Sequence, residues 1–275
     1  MSQPKIFDGG TEFVAFDVET TGLWPMTDRI VELGAIRFDG SGREIARFHS
    51  LIRPDKPMSH GAFEVNGISD AMVAHAPEAS AILPEFVDFL GDSRNTLLLA
   101  HHAVFDAGFV GCELGRRGVP IPSHPIVDTL ESTYLGMKDL KSYSLPSLAD
   151  YFGLDATDTH RALGDCGRVK ALWMMFGRSS CDRLKTFYFK DHAAIRVPPP
   201  AGWDDVQAAI DRKRTIRFVY PCGRTLNQPR DATPLGFLQK GGIFYLNAIC
   251  HIITYEKTFR LDRVFDWRIL PSASD

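Results

Sequence analysis

The chain has 275 residues, 44% of them hydrophobic and 24% charged, a composition typical of a globular protein with material for one large core or two smaller ones. Its five cysteines are odd in number and form no CxxC pair, which disfavours a disulfide framework or a zinc site and fits a reducing compartment. No apolar run approaches the ~20 residues that a membrane-spanning helix needs, and the first ten residues lack the basic-then-apolar order of a signal peptide, so we expect a cytoplasmic protein with no membrane partner.

The first predicted strand, residues 13–22 (FVAFDVETTG), carries two acids near its end. Side chains alternate between the faces of a strand, so Asp17 and Glu19 share a face with Ala15. Two adjacent carboxylates repel each other, and they persist mainly where a cation such as Mg²⁺ or Mn²⁺ lies between them. An ordinary solvated strand end is the alternative, and this stretch alone leaves both interpretations open.

The next elements change the predicted fold class along the chain. Residues 30–38 and 43–52 are β-rich runs separated by the turn DGSG, which predicts an antiparallel meander with the first strand. Residues 59–68 are short and mixed, and residues 77–92 have helical spacing. Residues 96–100 then read as a buried strand leading into a helix that Gly118 ends. A strand followed by a helix indicates an α/β class.

Further helices are predicted at residues 126–135, 144–154, 160–178 and 181–195. Three consecutive prolines follow and hold the chain extended. We therefore expect three parts: a first domain at 1–195, a linker at 196–202 and a second domain at 203–275. The second domain begins with an amphipathic stretch, 203–214, and continues with the strands TIRFVY, GIFYLNAI, TFRLD and FDWRI, which suggest a small barrel or curled sheet.

Charge is divided unevenly along the chain. Residues 201–275 contain 11 Lys and Arg against 8 Asp and Glu, a net charge of +3. Since the whole chain has a net charge of −3, residues 1–200 have a net charge of −6. An acidic domain joined to a basic one would suit a metal-dependent enzyme with a polyanionic substrate. A difference of this size can also carry no meaning.

Two more acids follow buried elements. Asp106 lies in the first turn of the helix after the 96–100 strand, and Asp165 follows His160 by five residues near the start of the long helix. With Asp17 and Glu19, these acids could converge on two divalent ions that activate a water and steady a leaving 3′ oxygen. His160 is the natural general base, because its ordinary pKa is near neutrality.

Three motifs in this chain, DVETTG, HHAVFD and HRALGD, together resemble the DEDDh branch of the 3′-to-5′ exonucleases over about residues 11–178. The resemblance implies an RNase H-like mixed sheet flanked by helices. It makes the four acids ligands of two Mg²⁺ or Mn²⁺ ions and His160 the base. It also implies a nucleic-acid substrate, with single-stranded 3′ ends as the expected partner.

The resemblance also suggests substrate contacts. His102 stands where the family usually has Asn, and its ring can still donate a hydrogen bond. The segment AFEVNGI resembles the family's loop near the 3′ end, where Phe63 or Val65 would wedge against the terminal base; a core role is equally open for either. Thr20, beside the acid pair, is a further candidate substrate contact.

Residues 203–270 resemble a WYL domain, a small Sm-like or SH3-like barrel. The match rests on IFYLNAI, where Phe244 replaces the signature Trp, and on FRLDRV. It implies a pocket for nucleic acid or a nucleotide effector that uses Tyr245, Arg260 and Arg263. The alternative is that Tyr245 is core and the arginines pair with nearby acids, Asp262 and Asp266.

These features together predict a metal-dependent exonuclease with a C-terminal binding module. A competing class is an exonuclease fold that has lost turnover and serves as a nucleic-acid sensor, against which the intact acids argue. A transcription regulator is disfavoured because no convincing helix-turn-helix is found in the sequence.

Overall fold

The computed structural model describes residues 10–155, 160–177, 183–221 and 228–271. The chain divides into two units, Met1–Ala193 and Ala194–Asp275. Each unit has its own apolar core.

The first unit is built on a six-stranded mixed sheet in the order β3-β2-β1-β4-β5-β6. Its strands are β1 (Glu12–Thr20), β2 (Ile30–Phe38), β3 (Glu44–Leu51), β4 (Thr96–Ala100), β5 (Ile126–Asp128) and β6 (Thr186–Phe187). The first three strands pair antiparallel, β4 runs parallel to β1 and β5, and β6 is antiparallel to β5. The predicted meander, the buried fourth strand and the α/β class are confirmed.

Helices flank this sheet: α1 (His60–Asn66), α2 (Asp70–Val73), α3 (Ala79–Leu90), α4 (Ala103–Arg117), α5 (Thr129–Gly136), α6 (Leu145–Phe152), α7 (Ala162–Leu172) and α8 (Phe189–His192). A π-helical turn, Trp173–Gly177, continues α7. Gly118 ends α4 in a left-handed conformation, as the sequence predicts. In the described part of the chain, no helix combines the length and the apolar character needed to cross a membrane.

Strand β1 separates two layers of core in the first unit. Val14, Phe16 and Val18 belong to the layer packed with α3 and α4. Phe13 and Ala15 belong to the layer packed with α6 and α7. The alternation predicted for this strand is therefore confirmed.

Gly34 on β2 lets α7 begin directly against the sheet. A Cβ atom there would lie 2.7 Å from the carbonyl carbon of Ala162 and 2.8 Å from the backbone nitrogen of Leu163. Gly34 is also the register partner of Asp17. The absence of a side chain at this position thus sets the distance between the sheet and the start of α7.

Two helices predicted from the sequence are wrong in part. Residues 126–128 form strand β5, not the start of a helix, because they pair with the buried strand β4. The helix expected at 181–195 is mostly replaced by the short strand β6 and by α8, while residues 181–182 lie outside the described ranges. Conversely, the mixed segment at 59–68 contains α1, which Ser59 caps.

Over its described residues, the second unit is an antiparallel sheet with one α-helix. It contains β7 (Ile195–Val197), α9 (Asp204–Asp211), β8 (Ile216–Val219), β9 (Pro229–Lys240), β10 (Ile243–Cys250), β11 (Tyr255–Arg260) and β12 (Phe265–Ile269). The order is β11-β10-β9-β8-β12, and β7 also pairs with β9. Residues 196–197, expected in the linker, thus lie in a strand, and β9 was not predicted because Pro229, Pro234 and Gly236 interrupt its pattern.

We expect Gly34→Ala to destabilise the protein by about 1 to 3 kcal/mol, since the added methyl group meets backbone that cannot rotate away. The measurement is urea unfolding of the variant and the wild type. Gly167→Ala in α7 is the control, because a Cβ there meets nothing within 4 Å and should stabilise the helix by roughly 1 kcal/mol. Equal stability of Gly34→Ala and wild type would contradict the close approach.

Candidate active site

The acid pair of β1 lies at the border of the apolar layer that packs against α7. Asp17 and Glu19 follow Phe13 and Ala15 on the same face of the strand, and both acids are partly exposed. The pairing with β2 shifts between Glu19 and Thr20, where the strand ends. The strand thus delivers two carboxylates to the edge of a packed layer.

Asp106 is brought to β1 by helix α4. It is buried in the first turn of the helix, and its Oδ1 accepts a hydrogen bond from the backbone N–H of Val18 at 3.2 Å. The helix follows His102, whose backbone is left-handed with φ 68°, a conformation in which Asn and His are enriched. The Asp128 carboxylate accepts from the backbone N–H of His102 at 2.9 Å. A His at the family's usual Asn position therefore fits this turn, with its side chain exposed.

His160 and Asp165 come from the start of α7. One ligand atom from each of Glu19, His160 and Asp165 lies within 4.8 Å of the others. His160 precedes the helix with a left-handed backbone, φ 57°. Asp165 lies in the first turn, where Arg168 forms an ion pair with it from one turn further on. The geometry thus gathers the histidine and two of the predicted acids.

Asp17 and Asp106 lie close enough to this group for the charges of its acids to affect the pKa values of both. Burial raises the pKa of Asp17 well above its usual range, and the charges of Asp106, Asp165 and Glu19 raise it further. Burial and the charge of Asp165 raise the pKa of Glu19 to about 8. Burial also raises the pKa values of Asp106 and Asp165, although the hydrogen bond from Arg168 opposes the rise for Asp165.

These residues fit a divalent-cation site. They offer hard oxygen donors, which Mg²⁺ and Mn²⁺ prefer. Their raised pKa values show that the carboxylates in this arrangement lack enough positive charge to stay ionised easily. A bound cation would supply that charge.

Glu32 and Arg161 also belong to this region and were not predicted from the sequence. The Glu32 side chain is fully buried on β2, opposite Glu19, and forms an ion pair with Arg161, the residue after His160. Hydrogen bonds from Arg161 and His49 hold the pKa of Glu32 below its usual range, although burial alone would raise it. A glutamate inside the apolar run IVELGAIRF was the available signal.

An apolar cavity of about 550 Å³ opens beside the acids. Glu19 and Thr20 line it, together with Trp24, Val65 and Phe105. Of the two candidate wedges, Val65 thus lines the cavity, whereas Phe63 is exposed on the same helix without lining it.

Thr20 is committed to the turn after β1. It is buried, and its hydroxyl donates to the backbone carbonyl of Gly22 at 2.6 Å. Its own carbonyl accepts from the Asn66 amide at 3.2 Å. Thr20 therefore shapes the cavity wall through the turn.

Two large apolar side chains project from the loop after β1. Leu23 and Trp24 are 72% and 71% exposed, yet the loop that carries them is firmly anchored. The Asp28 carboxylate accepts from the backbone N–H of Trp24 at 2.9 Å and pairs with Lys56 at 2.5 Å. The buried Arg116 donates to the Pro25 carbonyl at 3.1 Å. Trp24 is thus an exposed ring on an anchored loop, a feature that was not predicted from the sequence.

The three residues singled out in the second unit lie on neighbouring elements but differ in their surroundings. Tyr245 on β10 is half-buried and is the register partner of Arg260 on β11. Arg260 lines a cavity of about 410 Å³ with Trp203 and Phe244, and it pairs with Asp262 at 2.7 Å. Arg263 is exposed in a 3₁₀ turn.

The mixed sheet with acids at its strand and helix ends defines a protein of the nuclease class. The chain belongs to the exonuclease family RNase_T, which residues 14–172 match, and residues 202–269 match the WYL domain. Both families resembled by the sequence are confirmed.

Its relatives include DNA polymerases III of the PolC type. The PolC-type DNA polymerase III of Bacillus cereus is 35% identical over 153 residues, which cover 56% of this chain and 10% of the polymerase. That of Oceanobacillus iheyensis is 38% identical over 167 residues, 60% of this chain and 11% of the polymerase. The matched region thus spans about a tenth of these relatives.

Solved structures share the fold. E. coli exonuclease I in complex with a dA16 oligonucleotide has a TM-score of 0.54 at 15% identity, covering 87% of this chain and 55% of that one.

We expect the ion-free protein to lose stability between pH 5 and 8 more steeply than Glu19→Gln. The pKa of Glu19 is raised to about 8 in the folded state, so the folded state holds this proton more tightly than the unfolded chain. The stabilising effect of this proton on the folded state is complete below about pH 4.5 and is lost as the pH rises through 8. The measurement is the unfolding temperature in EDTA across this range.

At pH 8, Mn²⁺ should raise the unfolding temperature of the wild type by binding the folded state. Glu85→Gln, an exposed change on α3, is the control and should follow the wild type. Identical pH profiles for Glu19→Gln and wild type would contradict the assignment of Glu19 to a crowded acidic site.

Proposed function

We propose that this protein is a divalent-metal-dependent 3′-to-5′ exonuclease that hydrolyses the terminal phosphodiester of a nucleic-acid strand. The observation that carries the proposal is the approach of Glu19, His160 and Asp165 to within 4.8 Å of one another, beside Asp17 and Asp106. Its family membership supports hydrolysis of nucleic acid, and the DEDDh motif pattern supports the direction.

Each residue has a distinct role in this proposal. Asp17, Glu19, Asp106 and Asp165 hold two ions, Mg²⁺ or Mn²⁺. When bound, such ions lower the pKa of the attacking water and offset the charge on the phosphodiester. His160 accepts the proton of that water at an imidazole nitrogen. Its position beside Glu19 and Asp165 suits this role.

A single-stranded 3′ end is the substrate that the surroundings favour. The 550 Å³ cavity beside Glu19 is of a size and apolar character suited to a nucleobase. Trp24 at its rim presents a ring on which an unpaired base can stack. His102, at the start of α4, and Phe63, in the middle of α1, are exposed and are further candidates for contact with the strand.

The second unit is proposed to capture the strand. Its 410 Å³ cavity combines Trp203 and Phe244 with the guanidinium group of Arg260, a set suited to a base and a phosphate. Arg263 and Tyr245 lie on neighbouring elements and complete the candidate surface. A nucleotide effector would use the same groups.

We expect Asp17→Asn or Asp165→Asn to reduce hydrolysis by orders of magnitude, since each removes a charged ligand. His160→Ala should cost ~10²- to 10⁴-fold. The measurement is single-turnover digestion of 3′- and 5′-labelled single-stranded DNA and RNA with Mg²⁺, Mn²⁺ or EDTA.

Asp150→Asn, an exposed change on α6, is the control for the acids. Undiminished hydrolysis in EDTA would exclude the metal-dependent mechanism. Tight binding of strands without turnover in any ion would instead identify the chain as a sensor with an exonuclease fold.

We expect Trp24→Ala to weaken the binding of single-stranded ends by roughly 5- to 150-fold, the equivalent of ~1 to 3 kcal/mol of stacking. Trp24→Phe should retain most of the affinity because it keeps an aromatic face. The measurement is strand affinity in Ca²⁺, which should support binding without efficient cleavage. Unchanged affinity in Trp24→Ala would show that no base lies on this ring.

We expect Arg260→Ala to reduce the slope of log affinity against log salt by about 1, as the loss of one phosphate contact requires. Arg260→Ala should also lower the affinity for strands. Asp262→Asn should raise it, because it releases Arg260 from its ion pair. Both variants are measured in the full-length chain with single-stranded DNA and RNA. If neither variant changes affinity or slope, the second unit does not capture these strands through Arg260.

A further inference from the structure

Glu32 is a buried acid next to the proposed active site that the mechanism above does not use. It lies in the middle of an apolar strand, its side chain has no exposed surface, and its register partner is Glu19. Its charge contributes to the raised pKa values of Asp17 and Glu19. A charge that makes the acids harder to ionise needs another reason to be there.

The contacts of Glu32 give that reason. Arg161 donates to both carboxylate oxygens, from Nε at 3.1 and 3.0 Å and from Nη2 at 2.7 Å. The backbone N–H of Ala162 donates to Oε2 at 3.2 Å. His49 on β3 donates to Oε1 at 2.7 Å. Both oxygens are thus engaged by donors, which is a poor arrangement for a metal ligand.

Arg161 and Ala162 are the two residues directly after His160. The Glu32 carboxylate therefore fastens the chain immediately beyond the proposed base to the central strand β2. On its other side, the His160 backbone donates to the Asp165 carboxylate. Histidine adopts the left-handed conformation of His160, φ 57°, more often than most residues, but the conformation still has a cost that neighbouring contacts must offset.

We propose that Glu32 is a positioning residue that acts through Arg161 to hold the His160 imidazole in place for proton transfer. This inference rests on the proposed exonuclease function. A two-pronged arginine–carboxylate pair is directional, so it fixes the orientation of the turn as well as its distance from β2. His49 and the Ala162 N–H complete the hydrogen bonding of the carboxylate.

The main test compares the single-turnover rate of Glu32→Gln with that of the wild type. We expect a loss of about 10- to 100-fold, as is common for residues that orient a catalytic group. Strand affinity in Ca²⁺ and the Mn²⁺ concentration needed for half-maximal rate should be unchanged. A variant that loses metal or strand affinity to the same extent as rate would overturn the proposal.

A double-mutant cycle separates positioning from general stability. In the His160→Ala background, Glu32→Gln should cost less than about 2-fold, because the group that it positions is already gone. A general weakening of the site would instead multiply the two losses. Arg161→Lys, which keeps the charge without the two-pronged geometry, should fall between wild type and Glu32→Gln, and it serves if Glu32→Gln fails to fold.

Glu44→Gln is the matched control, because it breaks another Glu–Arg pair, with Arg47, at the exposed edge of β3. Its rate should equal that of the wild type. A rate loss in Glu44→Gln as large as in Glu32→Gln would remove the case for a specific role.

A readout independent of turnover is the NMR signal of the His160 ring in protein with labelled histidine. The signal should shift or broaden in Glu32→Gln and stay unchanged in Glu44→Gln. If the wild type digests no strand at all, the proposed function fails, while this measurement still decides whether Glu32 holds His160. An unchanged ring signal in Glu32→Gln would reject the inference.

Discussion

Mutual repulsion among four carboxylates is the constraint on which the rest of the first unit depends. Burial raises the pKa values of all four acids, and the charges of neighbouring carboxylates raise those of Asp17, Glu19 and Asp106 further. The two core layers on either side of β1 provide the rigidity that keeps the acids together. Asp106 and Asp165 each lie in the first turn of a helix, where the helix dipole favours negative charge. The arrangement is therefore poised to gain stability from a cation.

The fold was predictable wherever local pattern and tertiary packing agree. The alternation in β1 has one cause, the two layers of core, so the faces could be assigned from the sequence. Strand β5 has only three residues and is followed directly by α5. It is too short to show the alternation of a strand, so the sequence pattern predicts a helix over both elements. Strand β9 contains two prolines and Gly236, and its pairing with β7, β8 and β10 is what identifies it as a strand.

The candidate site was predictable as a set of acids and a histidine because the chemistry demands those residue types. The support of the site was not predictable in the same way. Glu32 and Arg161 are 129 positions apart, and no periodicity links them; only the register of β2 and the start of α7 bring them together. The exposed position of Trp24 likewise depends on hydrogen bonds that Asp28 and Arg116 make to the backbone of its loop, and no local pattern predicts them.

The alternation of β1 limits how this chain can change during evolution. Substitutions in the strand are tolerated if they keep size and polarity on each face. A single codon inserted or deleted between Ala15 and Asp17 would instead move both acids to the face of β1 that packs against α3 and α4, and would bring Val18 to the face of the candidate active site. Length variation in descendants of this gene should therefore be confined to turns such as residues 39–43, where the chain already leaves the sheet.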